Sequence, residues 1–394
     1  MNILFVCGTY PGNLKGGDYQ RTHLFYESLC RIGKVYVLYT DRVKETRADT
    51  AECARRERLK MGLVRRFIDH YVYRAYEWLS PVCPMLLPFP WDNNAARAFP
   101  GVKFDVVVAR YLFDPAVEWL WRYGPLYVDV DDCPLQKYET MYAAHHGAFR
   151  RWITRGVIRL VLKRILSHCE GVWLSNAEQR NWMDGRCRVG IVENIPVAIP
   201  PPPDAGLSRG NFLLTVGTMA YEPNFLGVDR FLTQIWPDVR KAYPDLEYRI
   251  VGPGLPEDCL RKWRTIPGVR YLGPVDDLSA QYAAALAVVV PVDMGGGTCI
   301  KTREALAYAR VCLSTEFGAR GVDLQNRKAH GLLIYHDAGD FLAGLKDVLD
   351  EDWRSDAEKA ARRFAEERFS RASFERGVTD LIQRIGGKEQ PSAC

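Results

Sequence analysis

Short unbroken apolar runs recur along the chain, each closed by glycine, proline or another small residue. Ile3 to Val6 ends at Cys7-Gly8, and a glycine-rich stretch, Gly8 to Gly17, leads into a helix-like segment over Gln20 to Ile32. Val35 to Tyr39, Phe104 to Ala109, Leu126 to Val130 and Gly171 to Ser175 read as further strands. Continuous apolar runs of this length fit strands buried on both faces. Strands separated by helices imply a parallel sheet with crossover helices on both sides.

The pattern breaks between about Val189 and Gly210, where Ile199 is followed by Pro200 to Pro203 and then Asp204-Ala205-Gly206. A proline run holds an extended, semi-rigid backbone and continues neither a helix nor a central strand, so it reads as an interdomain linker. The strand pattern then restarts. Phe212 to Val216 ends at Gly217, Tyr248 to Val251 at Gly252, and Ala287 to Val290 at Pro291, with Val311 to Ser314 and Leu332 to Tyr335 beyond. Ser355 to Ile385, rich in Ala, Arg, Glu and Phe, is expected to be helical. The expected class is α/β, two Rossmann-like doubly wound domains facing a cleft. Residues 1–190 form the N-terminal domain, 191–210 the linker and 211–375 the C-terminal domain, with a helix and tail over 376–394 returning to the first. The length of 394 residues fits two domains of roughly 150–200 residues each.

Composition narrows the class without deciding it. A hydrophobic share of 47% with 26% charged residues is that of an ordinary globular chain. Eleven cysteines stand singly from Cys7 to Cys394 with no CxxC pair, which argues against a zinc ribbon or a disulfide framework. Met1-Asn2 runs straight into Ile3 to Val6, unlike a signal peptide, and no apolar run nears the ~20 residues of a membrane span. A cytoplasmic location is therefore expected.

The most informative segment is Pro291 to Ala307, "PVDMGGGTCIKTREALA". A strand runs into the turn Gly295, Gly296, Gly297, Thr298, and a helix starts near Cys299. Glycines let backbone N–H groups approach an anion, and a helix N-terminus adds partial positive charge. Lys301 in the first turn adds a full charge. Glu304 lies one turn further on, where a carboxylate can accept hydrogen bonds from the vicinal hydroxyls of a ribose. Phosphate clamp plus diol acceptor is what a nucleotide-sugar site needs; the plainer alternative is a glycine turn that only packs helix on strand.

On these residues the sequence resembles the group 1 retaining glycosyltransferases with the GT-B fold, in their Gly-Gly-Gly-Thr branch. "GGGTCIKTREALAYARVCLSTEFGARGVD" resembles the donor-site signature of that family. "NFLLTVGTMAYEPNFLGVDRFLTQIWPDVRKAYPDLEYRIVGPG", "VRYLGPVDDLSAQYAAALAVVVPV" and "VENIPVAIP" resemble neighbouring blocks in the family's order. The likeness is good over about residues 190–385 and loose before that. It implies that Glu304 binds the ribose hydroxyls and that Gly297, Thr298, Cys299 and Ile300 offer backbone amides to the phosphates and the transferred sugar. Gly217, closing the first strand of the domain, joins the donor set. Two departures stand out. The first Glu of the family's paired-Glu motif falls on Gly296. The phosphate-binding Arg and Lys are expected within Met219 to Asn224, where the chain has Met-Ala-Tyr-Glu-Pro-Asn. In the Gly-Gly-Gly-Thr branch, Lys301 takes over that charge.

In the N-terminal half, Gly16-Gly17 resembles the family's glycine loop facing the phosphates and acceptor; a plain turn is the alternative. Gly8, Gly12, Gly16 and Gly17 do not form G-x-G-x-x-G, which weakens a dinucleotide-binding reading. "LYVDVDDCP" places Asp129, Asp131 and Asp132 at the carboxyl end of a strand. Asp131, aligned with a family His, is the candidate to orient or deprotonate the acceptor hydroxyl; capping a helix or binding a metal are the alternatives. Arg110 is a candidate for a substrate phosphate or carboxylate. His23 reads as structural. Two basic segments, Arg55 to Arg74 and Arg150 to His168, mix Lys and Arg with large apolar residues at near-helical spacing. Such helices can lie on anionic membranes, although the second reads first as a helix packed on the sheet.

The expected activity is transfer of a sugar from a nucleotide-sugar donor to a saccharide or lipid-linked acceptor, with retention, in cell-surface glycan synthesis. The protein would work in the cytoplasm, at the inner face of the membrane if the basic segments dock there. Backbone amides, a helix dipole and Lys301 neutralise the leaving phosphate, so no metal or other cofactor is required. The rivals are a sugar-nucleotide epimerase or hydrolase with the same pocket, and a non-catalytic scaffold, to which the missing first Glu lends weight. Basic residues do not interleave with aromatics as in a nucleic-acid module, so no nucleic-acid partner is expected.

Overall fold

The computed structural model describes residues 1–8, 11, 17–39, 53–58, 76, 78–82, 94–112, 119–183, 187–196, 209–322 and 326–383, without side chains at 17, 18, 53–58 and 94. The chain forms two compact units. One comprises Met1–Val197, Gly295–Gly297 and Arg371–Cys394, the other Ala198–Met294 and Thr298–Ser370.

Seven parallel strands build the sheet of the first unit: β1 (Asn2–Cys7), β2 (Lys34–Tyr39), β3 (Cys53–Arg58), β4 (Val106–Arg110), β5 (Leu126–Asp131), β6 (Cys169–Leu174) and β7 (Arg188–Ile191). Their order is β3-β2-β1-β4-β5-β6-β7. The central strands are the unbroken apolar runs of the sequence. Ile3 to Cys7 are wholly buried, and Ile3 sits in register with Val35 on one side and Val106 on the other. Helices cover both faces, as a parallel sheet demands. Helix Ala148–Leu166 lends Ile158, Val161, Leu162, Ile165 and Leu166 to the core.

The basic segment expected to be helical from Arg55 needs correction. Arg55 to Arg58 extend in β3 beside Tyr36 to Tyr39, and residues 59–75 lie outside the described residues. An edge strand carries charge without burying it, and charge there deters further pairing, so polarity hid the strand from a reading based on apolar runs. β7 is likewise short and at an edge. Most of the expected linker, residues 197–208, also lies outside the described residues.

The C-terminal helix Arg371–Gln383 belongs to the first unit. It packs on helix Gly17–Cys30, with Phe374 edge-on to Phe25 at 5.4 Å, and the fully buried Trp173 donates to the Gly377 carbonyl at 3.1 Å.

The second unit holds six parallel strands: β8 (Phe212–Val216), β9 (Glu247–Val251), β10 (Val269–Gly273), β11 (Ala287–Val290), β12 (Cys312–Ser314) and β13 (Leu332–Ile334). Their order, β10-β9-β8-β11-β12-β13, repeats the first unit's order counted from its own first strand. β10 is half-exposed at the edge, with Arg270 outward, which again masked it in the sequence. The single helical stretch expected over Ser355 to Ile385 is two helices, Glu351–Arg368 and Arg371–Gln383, separated at Phe369-Ser370.

Candidate active site

A doubly wound sheet presents its ligand crevice at the carboxyl ends of the strands flanking the order reversal. In the second unit these are the neighbours β8 and β11. Gly217 follows β8, and its N–H donates to the Val251 carbonyl at 2.9 Å. Gly252, after β9, has φ 138°, and a Cβ there would stand 1.9 Å from the Gly217 carbonyl oxygen. Only glycine lets the two strand ends approach this closely.

Two side chains converge on Gly217. A Cβ on that residue would meet Lys301 Cε at 2.8 Å and Asn224 Nδ2 at 3.1 Å. Asn224, buried in helix Glu222–Gln234, donates through Nδ2 to the Thr218 carbonyl at 2.9 Å. Its Oδ1 is buried with no hydrogen-bond partner among the described residues. Lys301 is half-buried, and its ammonium makes no hydrogen bond or ion pair among the described residues. An ammonium with no counter-charge beside it is open to an arriving anion, to which it can donate a charge-assisted hydrogen bond.

Lys301 lies in the first turn of helix Ile300–Ala307, whose cap residue Cys299 makes no side-chain capping bond. The first backbone N–H groups of a helix lack intrahelical partners and carry partial positive charge, which suits them to an anion. The helix is anchored on its inner side. Thr302 Oγ1 donates to the Gly318 carbonyl at 2.6 Å, and the buried Arg303 donates to the Gly321 carbonyl at 2.6 Å. This leaves Lys301 and Glu304 on the half-exposed face.

Glu304 accepts a hydrogen bond from the Tyr282 hydroxyl at 3.3 Å. Burial, then the Glu304 charge, push the Tyr282 phenol well above its usual range, which keeps it a donor. Its ring stacks on Tyr308 at 4.2 Å with 4° between planes. Glu304 is thereby held in place by a residue 22 positions away. Neither Asn224 nor Tyr282 was singled out from the sequence as a site residue. An asparagine inside a run expected to bear Arg and Lys was the only signal for the first, and the second gave none.

Gly295, Gly296 and Gly297 group with the first unit. The Gly295 carbonyl accepts from Thr140 Oγ1 at 2.7 Å, and the Gly296 carbonyl from Gln179 Nε2 at 3.2 Å. A Cβ on Gly297 would stand 2.3 Å from Asp132 Oδ1. The glycines are thus also demanded by packing, while the amides from Cys299 onward belong to the second unit.

In the first unit the strand ends hold a buried ionic cluster. Arg21 donates to Asp129 Oδ1 at 2.7 Å and Oδ2 at 2.9 Å, and to the Val192 carbonyl at 2.8 Å. Arg110, at the end of β4, pairs with Asp129 Oδ2 and lies 3.4 Å from Asp131 Oδ2. Asn194 Nδ2 donates to Asp131 Oδ1 at 2.9 Å. Arg110 and Asp129 are essentially inaccessible, so Arg110 serves as the internal partner of two carboxylates. Asp131 has φ 48°, a conformation that Asp tolerates better than most residues. Its carbonyl accepts from Gln179 Nε2 at 2.6 Å and Ser175 Oγ at 3.1 Å. Burial alone would raise its pKa, but Arg21 and Arg110, with the Asn194 bond, outweigh burial and hold it below the ordinary carboxylate range. A carboxylate held this acidic orients a hydroxyl better than it deprotonates one.

Of the glycine loop, Gly16 lies outside the described residues and Gly17 opens helix Gly17–Cys30. His23 Nδ1 is 2.8 Å from the Pro11 carbonyl and Nε2 is 3.2 Å from Glu27, a structural arrangement.

Residues 210–351 match the family described as Glycosyl transferases group 1. A comparison with curated proteins gives no match. Among solved structures, sucrose-phosphate synthase from Thermosynechococcus elongatus is 14% identical over 98% of this chain and 99% of its own, with a TM-score of 0.71. TarM is 11% identical over 97% of this chain and 98% of its own, with a TM-score of 0.66. Anabaena HepE in complex with UDP is 13% identical over 97% of this chain and 100% of its own, with a TM-score of 0.61. At these identities the likeness shows the fold, GT-B.

Proposed function

From a second unit that carries a group 1 glycosyltransferase domain, we propose that the protein transfers a sugar, with retention of configuration, from a nucleoside diphosphate sugar to a saccharide or lipid-linked acceptor in cell-surface glycan synthesis. The observation that carries the donor side is the half-buried Lys301, whose ammonium has no acceptor among the described residues and whose side chain lies against Gly217 at the end of β8. Lys301 and the amides of Cys299 and Ile300 hold the diphosphate, and Thr298 borders them. Glu304, fixed by Tyr282, takes the ribose hydroxyls. HepE binds UDP in its solved complex, which makes UDP-sugars the first donors to test.

During transfer the bond between the anomeric carbon and the diphosphate breaks, and negative charge grows on the leaving phosphate. Lys301 and the helix N-terminus are placed to stabilise that charge without a metal. Asp131 is the acceptor-side carboxylate, held ionised to orient the hydroxyl, with Arg110 as its positioning partner; Gly16 and Gly17 are assigned to the same side. The protein works from the cytoplasm at the inner face of the membrane. Among the described residues no helix is long and apolar enough to cross a membrane, so contact would be peripheral.

A panel of nucleoside diphosphate sugars in a thermal-shift assay tests this reading. A donor at about 100 times its Kd stabilises the fold by about 2.7 kcal/mol. One donor class should do so with the wild type and fail with Glu304→Ala. If no donor shifts the melt, the chain is a scaffold without a working site. If a donor is consumed equally with and without acceptor, the chain is a hydrolase or epimerase.

A further inference from the structure

Helix Ala148–Leu166 buries one face and presents a second apolar face to solvent. Thr154, Ile158, Val161 and Ile165, spaced by three and four, pack inward. Phe149, Trp152 and Leu160, spaced by three and then by eight, or two further turns, lie on the opposite side, 74%, 72% and 67% exposed. On the flank held by Arg150, Trp78 is 64% exposed, with the Arg150 guanidinium 4.7 Å from its ring centre. Thr154 Oγ1 ties the Trp78 segment to the helix by donating to the Leu79 carbonyl at 2.7 Å. These are the four most exposed large apolar side chains among the described residues. Single exposed hydrophobics are ordinary; four gathered at one helix mark an interaction surface.

Charge says what kind. The helix carries Arg150, Arg151, Arg155, Arg159, Lys163 and Arg164 and no Asp or Glu. By helical geometry, Arg151, Arg155 and Arg159 flank the apolar stripe on one side, and Arg150 and Arg164 flank it on the other. Arg151, Arg155 and Arg159 also line an open groove of about 1060 Å³, together with Leu135, Trp152 and Trp182. Glu139 is the one acidic side chain among the described residues lining this groove, and it accepts from Arg155 at 2.6 Å.

We propose that this face docks on an anionic phospholipid surface, with Phe149, Trp152 and Leu160 entering the headgroup layer and the arginine row contacting lipid phosphates. An apolar stripe rimmed by cations is complementary to that surface. A second copy of the chain would bring like charges together. The inference deepens the membrane-side part of the proposed function, for which this surface would set the orientation toward a lipid-linked acceptor.

Vesicle flotation of the full chain tests it, using phosphatidylcholine alone and an equal mixture of phosphatidylcholine and phosphatidylglycerol. The protein should float only with the mixed vesicles, and less so as salt is raised. The combined variant Phe149→Ser, Trp152→Ser, Leu160→Ser should lose at least about tenfold in partitioning. Arg159→Glu should lose at least about fivefold. Both should melt as the wild type does, since the altered side chains are exposed. Equal flotation on neutral vesicles, no flotation at low salt, or variants that float as the wild type does would each overturn the proposal. So would a change from dimer to monomer in the triple variant, which would assign the face to self-association. Flotation needs no donor, so its failure and failure of the donor-induced thermal shift are distinct results.

Discussion

The two units share a strand order yet treat the same topological position in opposite ways. At the strand ends of the first unit, Arg21 and Arg110 are neutralised by Asp129 and Asp131 inside the chain. At those of the second, Lys301 and Asn224 converge on Gly217, and neither the Lys301 ammonium nor Asn224 Oδ1 has a hydrogen-bond partner among the described residues. One sheet end is saturated by its own charges and the other lacks one negative partner. A shared fold therefore fixes where a crevice lies, while the local charge balance decides whether a ligand is needed to complete it.

If that contrast is right, the largest effect comes from breaking the saturated end. Asp129→Ala leaves two buried guanidinium groups short of a partner and should cost about 3–5 kcal/mol in urea unfolding. Lys301→Ala, which deletes a charge the fold does not use, should leave stability within about 0.5 kcal/mol. Equal losses in the two variants would erase the distinction. The next largest effect is on binding. Lys301→Ala should weaken nucleoside diphosphate affinity in calorimetry by about 1.5–3 kcal/mol, the worth of a charged hydrogen bond. Asp131→Asn should leave that affinity unchanged, because it belongs to the saturated end.

The smallest effect is in pH dependence. Although burial works the other way, Arg21 and Arg110 hold the folded pKa of Asp131 below the ordinary carboxylate range. Such a group contributes stability that is complete above its unfolded pKa and disappears as pH falls through the folded one. The wild type should therefore lose stability on acidification below about pH 4, and Asp131→Asn should lose less over that range. Identical acid limbs in the two proteins would mean that the cluster does not hold Asp131 ionised.

The central strands were legible because strands buried on both faces must be apolar throughout, and β1, β5, β8 and β11 lie close to the runs that announced them. The edge strands β3, β7 and β10 were not, because an edge has a free side and tolerates arginine. The turn into helix Ile300–Ala307 was equally legible, since Gly217, Lys301 and Glu304 sit at or just beyond strand-to-helix junctions whose spacing is local. Asn224 and Tyr282 were not, because their contacts depend on how helices distant in the chain are brought together.

Local periodicity and the glycine and proline breaks thus determined the α/β class, the repeated pattern and the place of the glycine turn before helix Ile300–Ala307. The tertiary structure alone decided that Arg110 is consumed by Asp129 and Asp131, that Lys301 is left over, and that Phe149, Trp152 and Leu160 face outward. Periodicity records only that residues share a face; which face is covered, and which charges meet, is set by contacts between segments distant in the chain.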